Sequence, residues 1–184
     1  MHRLLAIPSS HPLAHILLVV VCLAAAWTDV REQVISDLVT VPGMILGLLI
    51  ALATDGTQGL QAAALGAVAG FVIFGILNLA GLMASGDTFL MTAAGSLLGV
   101  PSVFTAMVLA TVFGVIVAGI WVLAKGQWRR VLGNFKLLGK KMVRGSRNRD
   151  HVEPTPFPFG VAIALGSIYT VAAAYLPVLG APLP

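Results

Sequence analysis

Long apolar runs separated by very few charges dominate this chain. Outside one segment between Lys125 and Glu153, its 184 residues carry seven charged side chains: Arg3, Asp29, Arg31, Glu32, Asp37, Asp55 and Asp87. Charged residues make up 10% of the whole, against about a quarter in soluble domains. Hydrophobic residues make up 58%. A chain so poor in polar surface cannot present a water-facing exterior. In lipid the backbone must satisfy its own hydrogen bonds, so apolar runs of about 20 residues read as spanning helices.

Such runs lie at about 12–28, 38–54, 60–82, 102–124 and 158–178. A shorter one, 88–100, is enclosed between Asp87 and a turn at Gly99–Val100–Pro101–Ser102. Arg3 before the first run and the small residues Ala24–Ala26 resemble a cleavable signal, but the basic region is weak and the run reads as a retained span. Counting 88–100 as a short span puts the segments at 29–37, 82–87 and 125–157 on one face. If that face is cytoplasmic, ten of the eleven basic residues lie inside and only Arg3 lies outside. The expected architecture is therefore all-α: an integral membrane bundle of six transmembrane helices, the fourth short, with both termini outside. It forms a single membrane domain over 1–184 with a basic cytoplasmic loop at about 125–157.

That loop holds nine Lys and Arg residues. Its start, Trp128–Met142, mixes apolar and basic positions as an interfacial helix on anionic lipid does. Gly133–Lys140 lacks the spacing and the Ser/Thr of a phosphate loop. Topology alone accounts for a cytoplasmic positive cluster, so no nucleic-acid partner is implied; the implied surroundings are membrane lipid. Gly43–Gly47, Gly66–Gly70 and Gly95–Gly99 have the GxxxG spacing that lets helix backbones approach in lipid, which predicts a tight bundle. Cys22, the one cysteine, reads as a small buried residue.

An acid within an apolar helix is expensive to place in lipid, less so toward the interface. Asp29 and Asp87 both stand where an apolar helix meets the cytoplasmic face. Taken alone, Asp29 reads as a solvated loop residue and Asp87 as the N-cap of the helix 88–100. Taken together, they share one face of one bundle. Two carboxylates in one site cannot both ionise easily, and a pair holding one proton suits activation of water against a peptide carbonyl. The other intramembrane hydrolase chemistries lack their parts. Neither Glu32 nor Glu153 lies in an HExxH pattern, no GxSxG occurs, and His2, His11, His15 and His151 read as terminal or loop residues. His11 and His15 are spaced i, i+4 at the outer edge without a third ligand, so no metal or other cofactor is expected.

Three stretches resemble one family. Asp29–Val30–Arg31–Glu32–Gln33–Val34–Ile35–Ser36–Asp37–Leu38 resembles the D-x-R-x-x-x-I-P-[ND]-x-L stretch after the first helix of type IV prepilin peptidases. Ala84–Ser85–Gly86–Asp87 resembles their G-x-G-D motif, and the Ala/Gly-rich helix that follows ends in Leu98–Gly99 as theirs does. Pro156 to Gly166 is similar to the I-P-F-x-P-x-x-A-x-G start of their last helix. The resemblance runs in order over about 29–166. It implies a six-helix intramembrane aspartic protease of the GxGD type in the bacterial inner membrane. Asp29 and Asp87 would be catalytic, with Arg31, Glu32, Asp37, Ser85 and Gly86 binding substrate or supporting them. Such an enzyme removes the cytoplasmic leader of a prepilin, typically after a glycine and before an apolar helix. Larger members add a Cys-rich region and N-methylation; with Cys22 alone, this chain resembles the short form that serves Flp and tight-adherence pili.

The departures from the pattern are specific. Ala84 replaces the first glycine of the motif, Ser36 stands where proline is usual, and Phe89 replaces a lysine. Glu32 and Asp37 are placed to attract a basic leader, or are ordinary solvated acids. Arg31 is free to pair with either or to contact lipid phosphate. Two other functions remain open for the same residues: a noncatalytic scaffold for pilus or secretion assembly, and a small ion-coupled transporter.

Overall fold

The computed structural model describes residues 12–80, 83–124 and 159–179. The basic segment 125–157, with the interfacial helix expected at its start, lies outside the described residues, as do Arg3 and His11. The described chain forms four helices: α1 (Pro12–Glu32), α2 (Asp37–Leu79), α3 (Ser85–Ala124) and α4 (Phe159–Leu179). The first three are long and apolar enough to cross a membrane; the apolar stretch Phe159–Tyr175 of α4 is shorter.

Two of these helices are too long to run straight. A continuous helix of 43 residues, the length of α2, would extend about 65 Å, twice the roughly 30 Å hydrocarbon core of a bilayer. Both α2 and α3 break at a glycine. Gly56 has φ 62°, ψ −143° and Gly99 has φ 72°, ψ 176°, conformations that a side chain strongly disfavours. At Gly56 the chain turns back on itself, so that Gly59 lies against the carbonyl of Ala51. In a straight helix, eight residues would separate those two by about 12 Å. At Gly99 the reversal shows in the neighbours of α3. Its first half packs along α2 with Gly70 against Met91, while its second half returns along α4 with Gly166 against Ala106 and Ala110. The breaks fall where the sequence places the ends of its apolar runs, and they leave six helical segments among the described residues.

The first half of α3 is the axis of the bundle: every residue from Leu90 to Gly99 is buried. A helix enclosed on all sides can be apolar all round and need not match the full lipid thickness. Glycines make that enclosure possible. The backbones of Gly66 and Gly95 lie directly against each other, and a Cβ on Gly70 would stand 2.6 Å from the Met91 carbonyl oxygen. A Cβ on Gly47 would stand 2.5 Å from Ser96 Oγ. Five of the six GxxxG glycines therefore serve packing; Gly99, whose Cα lies against Gly66, also makes the turn.

Helices α1 and α4 run antiparallel along one side. They are joined near one end at Asp29 and Gly160 and near the other at His15 and Tyr175. His15 is buried within α1, with Nδ1 2.7 Å from the Tyr175 hydroxyl. The terminal or loop position expected for it is corrected: the helix begins at Pro12, and the side chain turns into the bundle.

Candidate active site

The site forms where α1 ends. Gln33 adopts a left-handed conformation, φ 54°, and its N–H donates to the Asp29 carbonyl at 3.0 Å, the helix-ending bond of an αL cap. The chain then reaches Ser36, itself extended, whose hydroxyl accepts from the Leu38 N–H at 3.3 Å and caps α2. This abrupt corner has two consequences. It leaves Asp29 on the last turn of α1, 5% exposed rather than in a solvated loop. It also swings Ile35 inward, where it is buried.

Asp29 is held by the start of α4. Its Oδ2 accepts from the Gly160 N–H at 2.7 Å, and the Val161 backbone also hydrogen-bonds the carboxyl. The first N–H groups of a helix have no partner within it, so a carboxylate is their natural acceptor. Gly160 must lack a side chain, because a Cβ there would lie 2.7 Å from Asp29 Oδ2 and 2.7 Å from Ile35 Cδ1.

Asp87 lies in the first turn of α3, also 5% exposed. The helix starts at Ser85, so Asp87 is its third residue and not the N-cap expected of it. Its Oδ2 accepts from the Ala84 N–H at 3.2 Å, the reach-back half of a capping box. Ile35 ties the two acids' surroundings together. It meets Gly160, the partner of Asp29, on one side and Gly86, the neighbour of Asp87, on the other, where a Cβ would lie 2.9 Å from Ile35 Cβ. The two carboxyl groups are within electrostatic reach of each other.

The remaining expected residues are less enclosed. Glu32 and Asp37 are exposed at the facing ends of α1 and α2, Ser85 is exposed at the start of α3, and Gly86 is half-buried. Arg31, expected to pair with Glu32 or Asp37 or to contact lipid phosphate, lies over the Trp27 ring, 4.6 Å from its centroid, a cation–π contact. Phe89 lies on the outer surface of the bundle. Among the described residues, no group of three or more His, Cys, Asp or Glu side chains is placed to hold a metal. Two residues that matter here, Ile35 and Gly160, stand inside the quoted motifs, but motif position alone did not single them out. The glycine opening an apolar helix was the one available signal.

Residues 16–119 match the model of the type IV leader peptidase family. The chain belongs to that family. No curated protein and no solved structure gives a significant match. The matched region takes in most of α1, all of α2 and most of α3, hence both Asp29 and Asp87. It ends before α4, so the Gly160 amide that holds Asp29 is a contribution visible only in the fold. Membership gives this leader peptidase a peptidase activity and substrates of the prepilin kind, and its apolar helices make it a membrane protein.

Proposed function

We propose that this leader peptidase is an aspartic endopeptidase of the bacterial inner membrane, with Asp29 and Asp87 as its catalytic pair and a Flp-like prepilin as its substrate. One observation carries the reading. Two buried carboxyl groups, 58 positions apart in sequence, stand at the same end of an apolar bundle with a single side chain, Ile35, packed between their surroundings.

The pair, holding one proton, performs hydrolysis in two moves. The ionised carboxylate takes a proton from water as the water oxygen attacks the scissile carbonyl carbon, while the protonated partner donates to the carbonyl oxygen. The tetrahedral intermediate then collapses: the C–N bond breaks, the departing amine takes a proton from the protonated acid, and the other carboxylate takes back a hydroxyl proton from the intermediate, so that the dyad again holds one proton. Leader and pilin leave as a new carboxyl and a new amine. Six membrane crossings with both termini outside place this chemistry at the cytoplasmic face, a topology supported by the reversals at Gly56 and Gly99. Glu32 and Asp37, exposed beside the site, are suited to attract a basic leader; Ser85 is exposed at the edge of the site, and Gly86 lets Ile35 pack beside Asp87. The segment 125–157, basic and cytoplasmic in this topology, meets anionic lipid.

Co-expression with a Flp-like prepilin, followed by gel shift, tests the reading. The wild-type chain removes the leader, and neither Asp29→Ala nor Asp87→Ala does. Full processing by either variant would exclude the dyad.

A further inference from the structure

Beside Asp87, on the outer surface of the bundle, a cavity of about 440 Å³ opens between the second half of α2 and the start of α3. That volume lies within the roughly 300–1,000 Å³ of ordinary ligand clefts. Phe71, Ile76 and Phe89 form apolar walls that continue into the exposed apolar exterior. Ser85 and Thr88, on either side of Gly86 and Asp87, line the end nearest the acid.

Two features separate this groove from ordinary lipid-facing surface. The first is Gly75. Gly66 and Gly70, earlier on the same helix, press against the backbone of α3, but a Cβ on Gly75 would meet only Thr88 Cγ2, at 3.9 Å, among the described residues. Close helix packing does not require that glycine; the missing side chain instead keeps the groove hollow. The second is Ser85. It is exposed and lines the end of the groove beside Asp87, so its hydroxyl is open to a partner there. An acyl chain would leave that hydroxyl without one. A peptide unwound for cleavage carries free N–H and C=O groups that would pair with it.

We propose that this groove receives the apolar segment of the peptide substrate adjoining the scissile bond, and that the hollow at Gly75 sets the size of side chain accepted there. The proposal rests on the leader peptidase reading above and adds to it the position from which substrate approaches Asp87.

The test uses the full-length protein in lipid vesicles with a series of Flp-like prepilins carrying Ala, Leu or Trp at successive positions of the apolar segment after the cut. At one of those positions, Gly75→Leu lowers kcat/KM for the Trp prepilin relative to the Ala prepilin by about 10-fold or more, acting through KM. Gly75→Ala moves the same ratio by less, and Phe71→Ala moves it the other way. Should the leucine variant fail to fold, the other two still give the ratio. A ratio unchanged at every position in all three variants overturns the proposal while wild-type cleavage keeps the parent reading; a wild-type protein that leaves every prepilin uncut overturns both. As a second measurement, a photo-cross-linking residue at position 76 in the Asp87→Asn background forms an adduct with the prepilin. An adduct with lipid alone contradicts the proposal.

Discussion

Helices α1 and α4 are joined twice by polar contacts that each involve a buried side chain, His15 or Asp29, and the two contacts behave differently. At one end, the His15 ring nitrogen and the Tyr175 hydroxyl meet at 2.7 Å with their rings edge to face. Donor and acceptor answer each other, and aliphatic side chains surround them. At the other end, Asp29 Oδ2 accepts from the first amides of α4. A carboxylate has about four acceptor positions, so those bonds leave it with capacity to spare, and a second carboxyl group stands nearby. The first contact is a clamp. The second has lone pairs to spare and another acid near it, and on that arrangement the proposed proton transfer rests. Burial of a polar group therefore does not by itself identify a site; what distinguishes one is the capacity left after local bonds are made.

Substitutions at the two ends should separate these roles. The largest effect falls on the acids: Asp29→Asn and Asp87→Asn each lower the single-turnover cleavage rate by about 10²–10⁴-fold, the usual size of a lost general acid or base. Next is Gly160→Ala. Its Cβ would occupy space 2.7 Å from Asp29 Oδ2, and displacing that carboxylate costs about 10²-fold in rate, with overpacking of about 1–3 kcal/mol visible as a lower Tm in detergent. At the clamp, Tyr175→Phe leaves His15 without its partner and costs about 1 kcal/mol of stability, read by thermal unfolding, while cleavage continues. The smallest effect is a gain. Gln33→Gly relieves a left-handed side-chain conformation, less the added chain entropy of glycine, and raises stability by about 0.5 kcal/mol in the same measurement.

Much of this arrangement was legible because membrane folding leaves hydropathy few choices. The ends of the apolar runs located both glycine breaks, and the scarcity of charge drew attention to Asp29 and Asp87. The contacts that distinguish the two ends were not legible. Gly160 meets Asp29 across 131 positions, and His15 meets Tyr175 across 160; no local pattern encodes either. His15 falls within the run that starts at 12, as α1 does, but that run is apolar nearly all round, which conceals which face turns inward. Asp87 as third residue instead of N-cap is a shift of a single turn, set by how the chain enters α3 from Ala84. Gly99 has the spacing of a packing glycine and the conformation of a turn, a distinction that spacing cannot express.

The most direct test of the central claim compares four purified proteins in lipid vesicles against one Flp-like prepilin under single-turnover conditions: wild type, Asp29→Asn, Asp87→Asn and Tyr175→Phe. The account predicts cleavage by wild type and Tyr175→Phe, and none above background by either aspartate variant when all four fold. Cleavage at the wild-type rate by Asp29→Asn or Asp87→Asn would contradict it.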